Sequence, residues 1–263
     1  MKKILYLLLC FIKLQAYCQQ DAQFTQYMYN MSIINPAYAT SDFNNANVGL
    51  THRIQWLGIN GSPVTTSFFY HYAADDKKEF GFSAYNDNIG DGVMRETKLS
   101  GDFAYIINIS DYEKLSFGVK AGVNLLNLNF DNFVLESGNN FSDIAFSENV
   151  SKIYPNIGTG VFYYTKNYYF GLSVPNLLKS SYIKNDNYSY SKSTEEFHYF
   201  VNGGYIYEDE RNRMKYKPSF LLKSAFNGKV SYDVAFNVLF NDNFEIGANY
   251  RNNSSLSALV NIN

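Results

Sequence analysis

Few side chains in this chain could do chemistry. The histidines are His52, His71 and His198, and none stands in the two-imidazole spacing of a metal site. The two cysteines, Cys10 and Cys18, both fall in an N-terminal stretch that reads as a secretory signal, so neither is expected in the exported chain. No G-x-S-x-G elbow and no phosphate loop occurs in the sequence. Catalysis would need a serine–histidine or aspartate–histidine pair assembled across strands, and lone strand histidines are more commonly polar lining. The chain is therefore expected to be no enzyme and to need no cofactor or metal. Asn86-Asp87-Asn88-Ile89-Gly90-Asp91-Gly92 has the oxygen-rich composition of a calcium loop but lacks the spacing and downstream glutamate of an EF-hand. Asp, Asn and Gly also suit tight turns, and a turn is expected here.

One constellation is harder to assign. Arg53-Ile54-Gln55-Trp56-Leu57-Gly58-Ile59-Asn60-Gly61-Ser62-Pro63 holds the only tryptophan of the chain, ahead of glycines and a proline that impose a defined turn. Trp56 could be an interfacial anchor above a hairpin. Alternatively, Arg53 and the rigid loop could hold the N-terminal segment or a partner.

These residues must be carried by strands. From Leu115 to Leu125, the alternate residues Leu115, Phe117, Val119, Ala121, Val123 and Leu125 are apolar, with Ser116, Gly118, Lys120, Gly122 and Asn124 between them. That is a period of two, with one greasy and one wet face. Its length matches the ~9–11 residues a tilted strand needs to cross a bilayer. The greasy row is expected to face lipid, and Lys120 and Asn124 the lumen. Similar alternation predicts strands at 46–56, 63–73, 79–88, 93–108, 114–126, 154–164, 168–175, 197–207, 214–225, 229–240, 243–251 and 255–263. Pro218 cannot donate to a ladder, so a bulge is expected there.

Composition agrees. The 263 residues are 46% hydrophobic, without an internal apolar run long enough for a membrane helix. Tyr (24) and Phe (22) are abundant, which favours strands over helices. The net charge of −2 gives no footprint for nucleic acid. Residues 1–18 form the expected signal peptide, with Lys2 and Lys3, an apolar core from Ile4 to Ile12, and Ala16 and Cys18 before the cleavage point. An acylated Cys18 is the alternative, disfavoured by the bulky Tyr17 before it. Residues 19–45 break the alternation. Phe24, Tyr27, Met28 and Met31 could make a short apolar helical stripe, followed by a turn at Asn35-Pro36-Ala37-Tyr38. A stripe this short is expected to dock on or inside something.

Connections sort by length. Those at 110–113, 165–167, 208–213 and 241–242 are brief and fall on one end, whereas the long ones at 127–153 and 176–196 fall on the other. That asymmetry is typical of outer-membrane barrels, with short turns in the periplasm. The Asn227-Gly228 turn is a tight exception on the long side. Tyr163, Tyr164, Tyr168 and Tyr169 cluster near one turn, as in an aromatic girdle. The reading is an all-β, antiparallel transmembrane β-barrel over 46–263, with a secreted β-sandwich as the alternative.

Two N-terminal motifs add a family. Gln20-Asp21-Ala22-Gln23-Phe24-Thr25-Gln26-Tyr27-Met28-Tyr29-Asn30 with Ile34-Asn35-Pro36-Ala37-Tyr38-Ala39, and then Arg53, Gln55-Trp56, Gly58, Gly61 and Pro63, resemble the PorP/SprF family. Tyr250-Arg251 is similar too, while Thr40 stands where that family usually has glycine. The resemblance implies a non-catalytic outer-membrane barrel associated with type IX secretion and gliding motility. It also implies partners among the secretion components or a secreted surface adhesin, besides outer-membrane lipid, and no small-molecule substrate. A passive diffusion or solute-uptake channel is the alternative. Partner contacts are expected at Phe24, Tyr27, Asn35, Tyr38, Arg53 and Trp56, with 19–45 as a plug or periplasmic segment. About 12 strands are counted here; the resemblance implies a barrel of ~14, even-numbered as bacterial barrels are. Truncation is then the expected reason for the shorter count.

Overall fold

Alternation becomes ladder nearly residue for residue. A computed structural model describes residues 26–38, 46–130, 149–178, 197–225, 230–252 and 254–262. The signal stretch, Phe24, the Asn227-Gly228 turn and most of the two long connections lie outside the described residues. The first five strands are β1 (Ala46–Ile54), β2 (Val64–Ala73), β3 (Lys78–Ile89), β4 (Met94–Asn108) and β5 (Glu113–Leu128). Then come β6 (Val150–Thr165), β7 (Tyr168–Val174), β8 (His198–Tyr205) and the short β9 (Tyr207–Asp209). The last four are β10 (Met214–Ala225), β11 (Ser231–Phe240), β12 (Phe244–Arg251) and β13 (Ser255–Ile262). They form one antiparallel 13-stranded sheet in chain order, with β9 paired to β10 beside that path.

The sheet is not closed. Among the described residues β1 and β13 do not pair, so each keeps one edge without ladder partners. It is nevertheless curled, because side chains from strands as far apart as β3 and β12 line one cavity. Pro218 makes a gap rather than the expected bulge. Ser219 pairs with Gly204 and Tyr216 with Tyr207 in one unbroken register, so no extra residue is inserted. The ladder lapses where proline has no N–H, which is why β8 and β9 count as separate strands.

On β5, Ser116, Lys120, Asn124 and Leu126 are buried, whereas Phe117, Val119 and Val123 are 40–55% exposed. The same inversion runs through the sheet: Phe80, Phe82, Leu172, Val234, Phe236 and Ile246 are exposed, and Glu79, Asp102, Asp233, Glu245 and Arg251 are buried. An exposed apolar band this continuous marks a membrane face. The girdle reading holds for half its residues. Tyr163 and Tyr168 pair on the outer face, their hydroxyls 3.3 Å apart, while Tyr164 is buried and meets Phe162 inside, the rings tilted and 5.7 Å apart. Neighbouring residues of a strand point to opposite faces, so Tyr163 and Tyr164 could not both face out.

The five connections at one end are brief, at 74–77, 109–112, 166–167, 210–213 and 241–243. The opposite end carries the long ones, with 55–63 beside them.

Candidate functional site

Inside the curled sheet sits the segment without strands. Tyr27–Tyr29 form a 3-10 turn, Asn30 breaks it, and Met31–Ile34 make one helical turn. Four residues cannot sustain a helix in water, so these turns depend on what surrounds them. Tyr27, Met31 and Ile34 are buried, but so are Asn30, Ser32 and Asn35, each at 1% exposure or less. The expected one-sided stripe is therefore a segment buried on its polar as well as its apolar side, with Met28, Tyr29, Ile33 and Tyr38 partly open. Its core partners are inward residues of the wall: Ile106 on β4, Phe162 and Tyr164 on β6, and Leu221 on β10.

Polar pins fix its position. The Asn35 amide donates to Val161 O at 3.1 Å and, more weakly, to Leu172 O at 3.5 Å. Its side-chain oxygen accepts from the Ala37 N–H at 2.9 Å, and the Tyr38 N–H closes the turn on Asn35 O at 3.0 Å. Ser173 donates to Ile34 O at 2.8 Å. Asn30 bonds Thr51 on β1 at 3.0 Å, and Tyr27 shares a 2.9 Å hydrogen bond with Ser219 on β10. Strands far apart in sequence are thus tied through one short segment.

The wall is shaped to receive it. A Cβ at Gly160 would collide with the Asn35 carboxamide, and one at Gly118 with the backbone of Pro36 and Ala37. Tyr38 meets Phe162 edge-on at 5.4 Å. Burial pushes the Tyr27 and Tyr38 phenols up from their ordinary value, so both are neutral hydroxyls across the physiological range.

Charges inside the wall are paired across strands. Asp102 and Lys120 stand opposite in register at 3.0 Å, as do Asp233 and Arg251 at 2.7 Å. Lys217 reaches Glu245 at 2.9 Å, and His71 meets Glu79 at 3.1 Å. Pairing of this kind is what lets buried charge persist. Among the described residues no group of three or more His, Cys, Asp or Glu is placed to hold a metal ion. The Asn86–Gly92 stretch divides between the end of β3 and a turn closed by the Val93 N–H on Gly90 O at 3.1 Å.

Of the residues singled out from sequence, Tyr27, Asn35 and Tyr38 come together in this interior. Arg53 faces it from β1, where it interacts electrostatically with Asp87 and Arg251. Trp56 is apart, exposed on the 55–63 connection. Sequence reasoning missed the receiving surface: Gly118, Gly160 and Ser173. Small residues on the inward row of span-length strands were its one available signal.

A cavity of about 510 Å³ lies on the short-turn side of the segment, walled by Tyr29, Tyr164, Tyr169, Tyr205, Lys114 and Lys217. A smaller one of about 100 Å³ lies on the far side, beside Lys120, Asp233 and Arg251.

An outward apolar wall, an inward wall of paired charge and a seated internal segment define a membrane-spanning β-barrel with an occupied lumen. The chain belongs to the PorP/SprF family: the family described as type IX secretion system membrane protein PorP/SprF matches residues 16–263. No curated protein matches it.

Proposed function

We propose that the protein is a non-enzymatic outer-membrane component of type IX secretion that helps export or anchor a cell-surface adhesin, with its long connections turned toward that adhesin. The observation that carries this reading is the N-terminal segment seated in the lumen. Hydrogen bonds to β1, β6, β7 and β10 hold it there as part of the fold. A lumen filled this way favours holding or guiding a protein partner over free diffusion, and so weighs against the solute-channel reading. The short-turn end faces the periplasm in this reading, where secretion components are within reach of the 510 Å³ cavity.

Gene deletion tests it. Loss of one large surface adhesin from intact cells, restored by the unaltered gene, is the expected result. Normal surface adhesin and normal motility in the deletion strain would end the proposal.

A further inference from the structure

Among the described residues, the connection between β1 and β2 carries the most exposed large apolar side chains of any turn joining adjacent strands: Trp56 at 62%, Leu57 at 84% and Ile59 at 60%. It is built firmly. The Gln55 N–H donates to Pro63 O at 2.9 Å, the Ile59 N–H to Trp56 O at 3.1 Å, and the Ser62 N–H to Ile59 O at 3.2 Å. The Gly90 N–H ties the neighbouring turn to Gly61 O at 2.9 Å. Trp56 has a φ of +55°, a left-handed conformation that disfavours a bulky side chain by about 1–2 kcal/mol. Local strain of this kind persists where the surroundings fix the direction of a side chain. Here the strained residue stands directly off the end of the membrane face, with its ring exposed. On β1 the outward row runs Val48, Leu50, His52 and Ile54, all exposed, and Trp56 follows two residues after the last of them, on the connection itself. On β2 the outward row is Val64, Thr66, Phe68, Tyr70 and Tyr72, with Val64 opposite Ile54 next to the connection and the two tyrosines at the other end of the hairpin.

We propose that the 55–63 connection is a lipid anchor: Trp56, Leu57 and Ile59 lie in the headgroup layer at the long-connection end and extend the apolar band of β1 and β2. Indole suits this layer, with an apolar ring body and one N–H donor for headgroup oxygens. The ligand is the bilayer surface itself. Continuity with the lipid-facing row is what separates it from a protein partner, which would be met by a patch set apart from that row. The inference rests on the outward row facing lipid, and not on the adhesin reading.

Trp56 is the only tryptophan, so its fluorescence reports this site alone. The full chain is reconstituted in phosphatidylcholine vesicles, and insertion is verified by flotation and by heat-modifiable gel mobility. The expected result is emission blue-shifted from that of tryptophan in water. Phospholipids brominated high on the acyl chain should quench it more strongly than those brominated near the chain end. Leu57→Asp and Ile59→Asp should each weaken that quenching while mobility stays heat-modifiable, because a carboxylate lifts the tip from the headgroups. Water-like emission with quenching by aqueous iodide and none by brominated lipid would overturn the anchor. So would an indole shielded from both quenchers, which would mean that protein covers it. Failure of the protein to float at all would instead strike at the membrane-facing row.

Discussion

Asn35 satisfies backbone rather than side chains: its amide reaches ladder carbonyls of β6 and β7, while its oxygen takes the Ala37 N–H. Alanine there would leave buried groups unpaired, at about 1–3 kcal/mol. Asn35→Ala is therefore expected to free the N-terminal segment for proteolysis, with the heat-modifiable barrel retained. Gly160→Val should do the same from the wall side, because its side chain would occupy the space of the Asn35 carboxamide. The Asp233–Arg251 pair is a different kind of contact. Both side chains are 5% exposed, and the guanidinium makes two bonds to the carboxylate, at 2.7 and 3.1 Å. Arg251→Ala would strand a buried carboxylate, so a loss of about 3–5 kcal/mol in urea unfolding is expected. Arg251→Met combined with Asp233→Asn should recover much of that loss, which distinguishes an unpaired charge from simple loss of volume.

A strand in this wall is defined by which of its two rows faces lipid. On β5, Val119 is 55% exposed and Lys120 is 4% exposed beside Asp102 and Ser83. Val119→Cys should react with a lipid-phase thiol probe in reconstituted vesicles, and Lys120→Cys should not. Equal labelling of the two would mean that β5 does not face the bilayer. Pro218 shows the limit of reading an element from one residue. Proline in a strand can be met by inserting a residue or by leaving a rung unmade. The constant register on both sides of Pro218 shows that the second occurs here.

Across the whole molecule, the segment at 27–38 is to the barrel what a core is to a soluble domain. It supplies Tyr27, Met31, Ile34 and Ala37 to the buried cluster, while the wall sends its own apolar row outward. Removing 27–38 should therefore open the lumen. Planar-bilayer recordings of that variant are expected to show conductance steps that the intact protein lacks. An intact protein that already conducts would show that the seated segment does not block the lumen.

The sequence by itself determined the strands, their faces and the short-turn end. Each of these depends on neighbours along the chain, through alternation every second residue and through turn-forming residues. It also marked the segment before Ala46 as the exception, and its motifs as those of the PorP/SprF family. It did not say where that segment goes. Asn35 finds Val161 and Leu172 more than a hundred residues away. Gly118 and Gly160 gain their meaning only when the curled sheet brings Pro36 and Asn35 over them. The pairing of Lys120 with Asp102 was likewise undecided until register set the two opposite one another. That β1 and β13 do not pair among the described residues was undecided for the same reason. Ladder closure depends on curvature summed over every strand, and no local stretch of sequence encodes that sum.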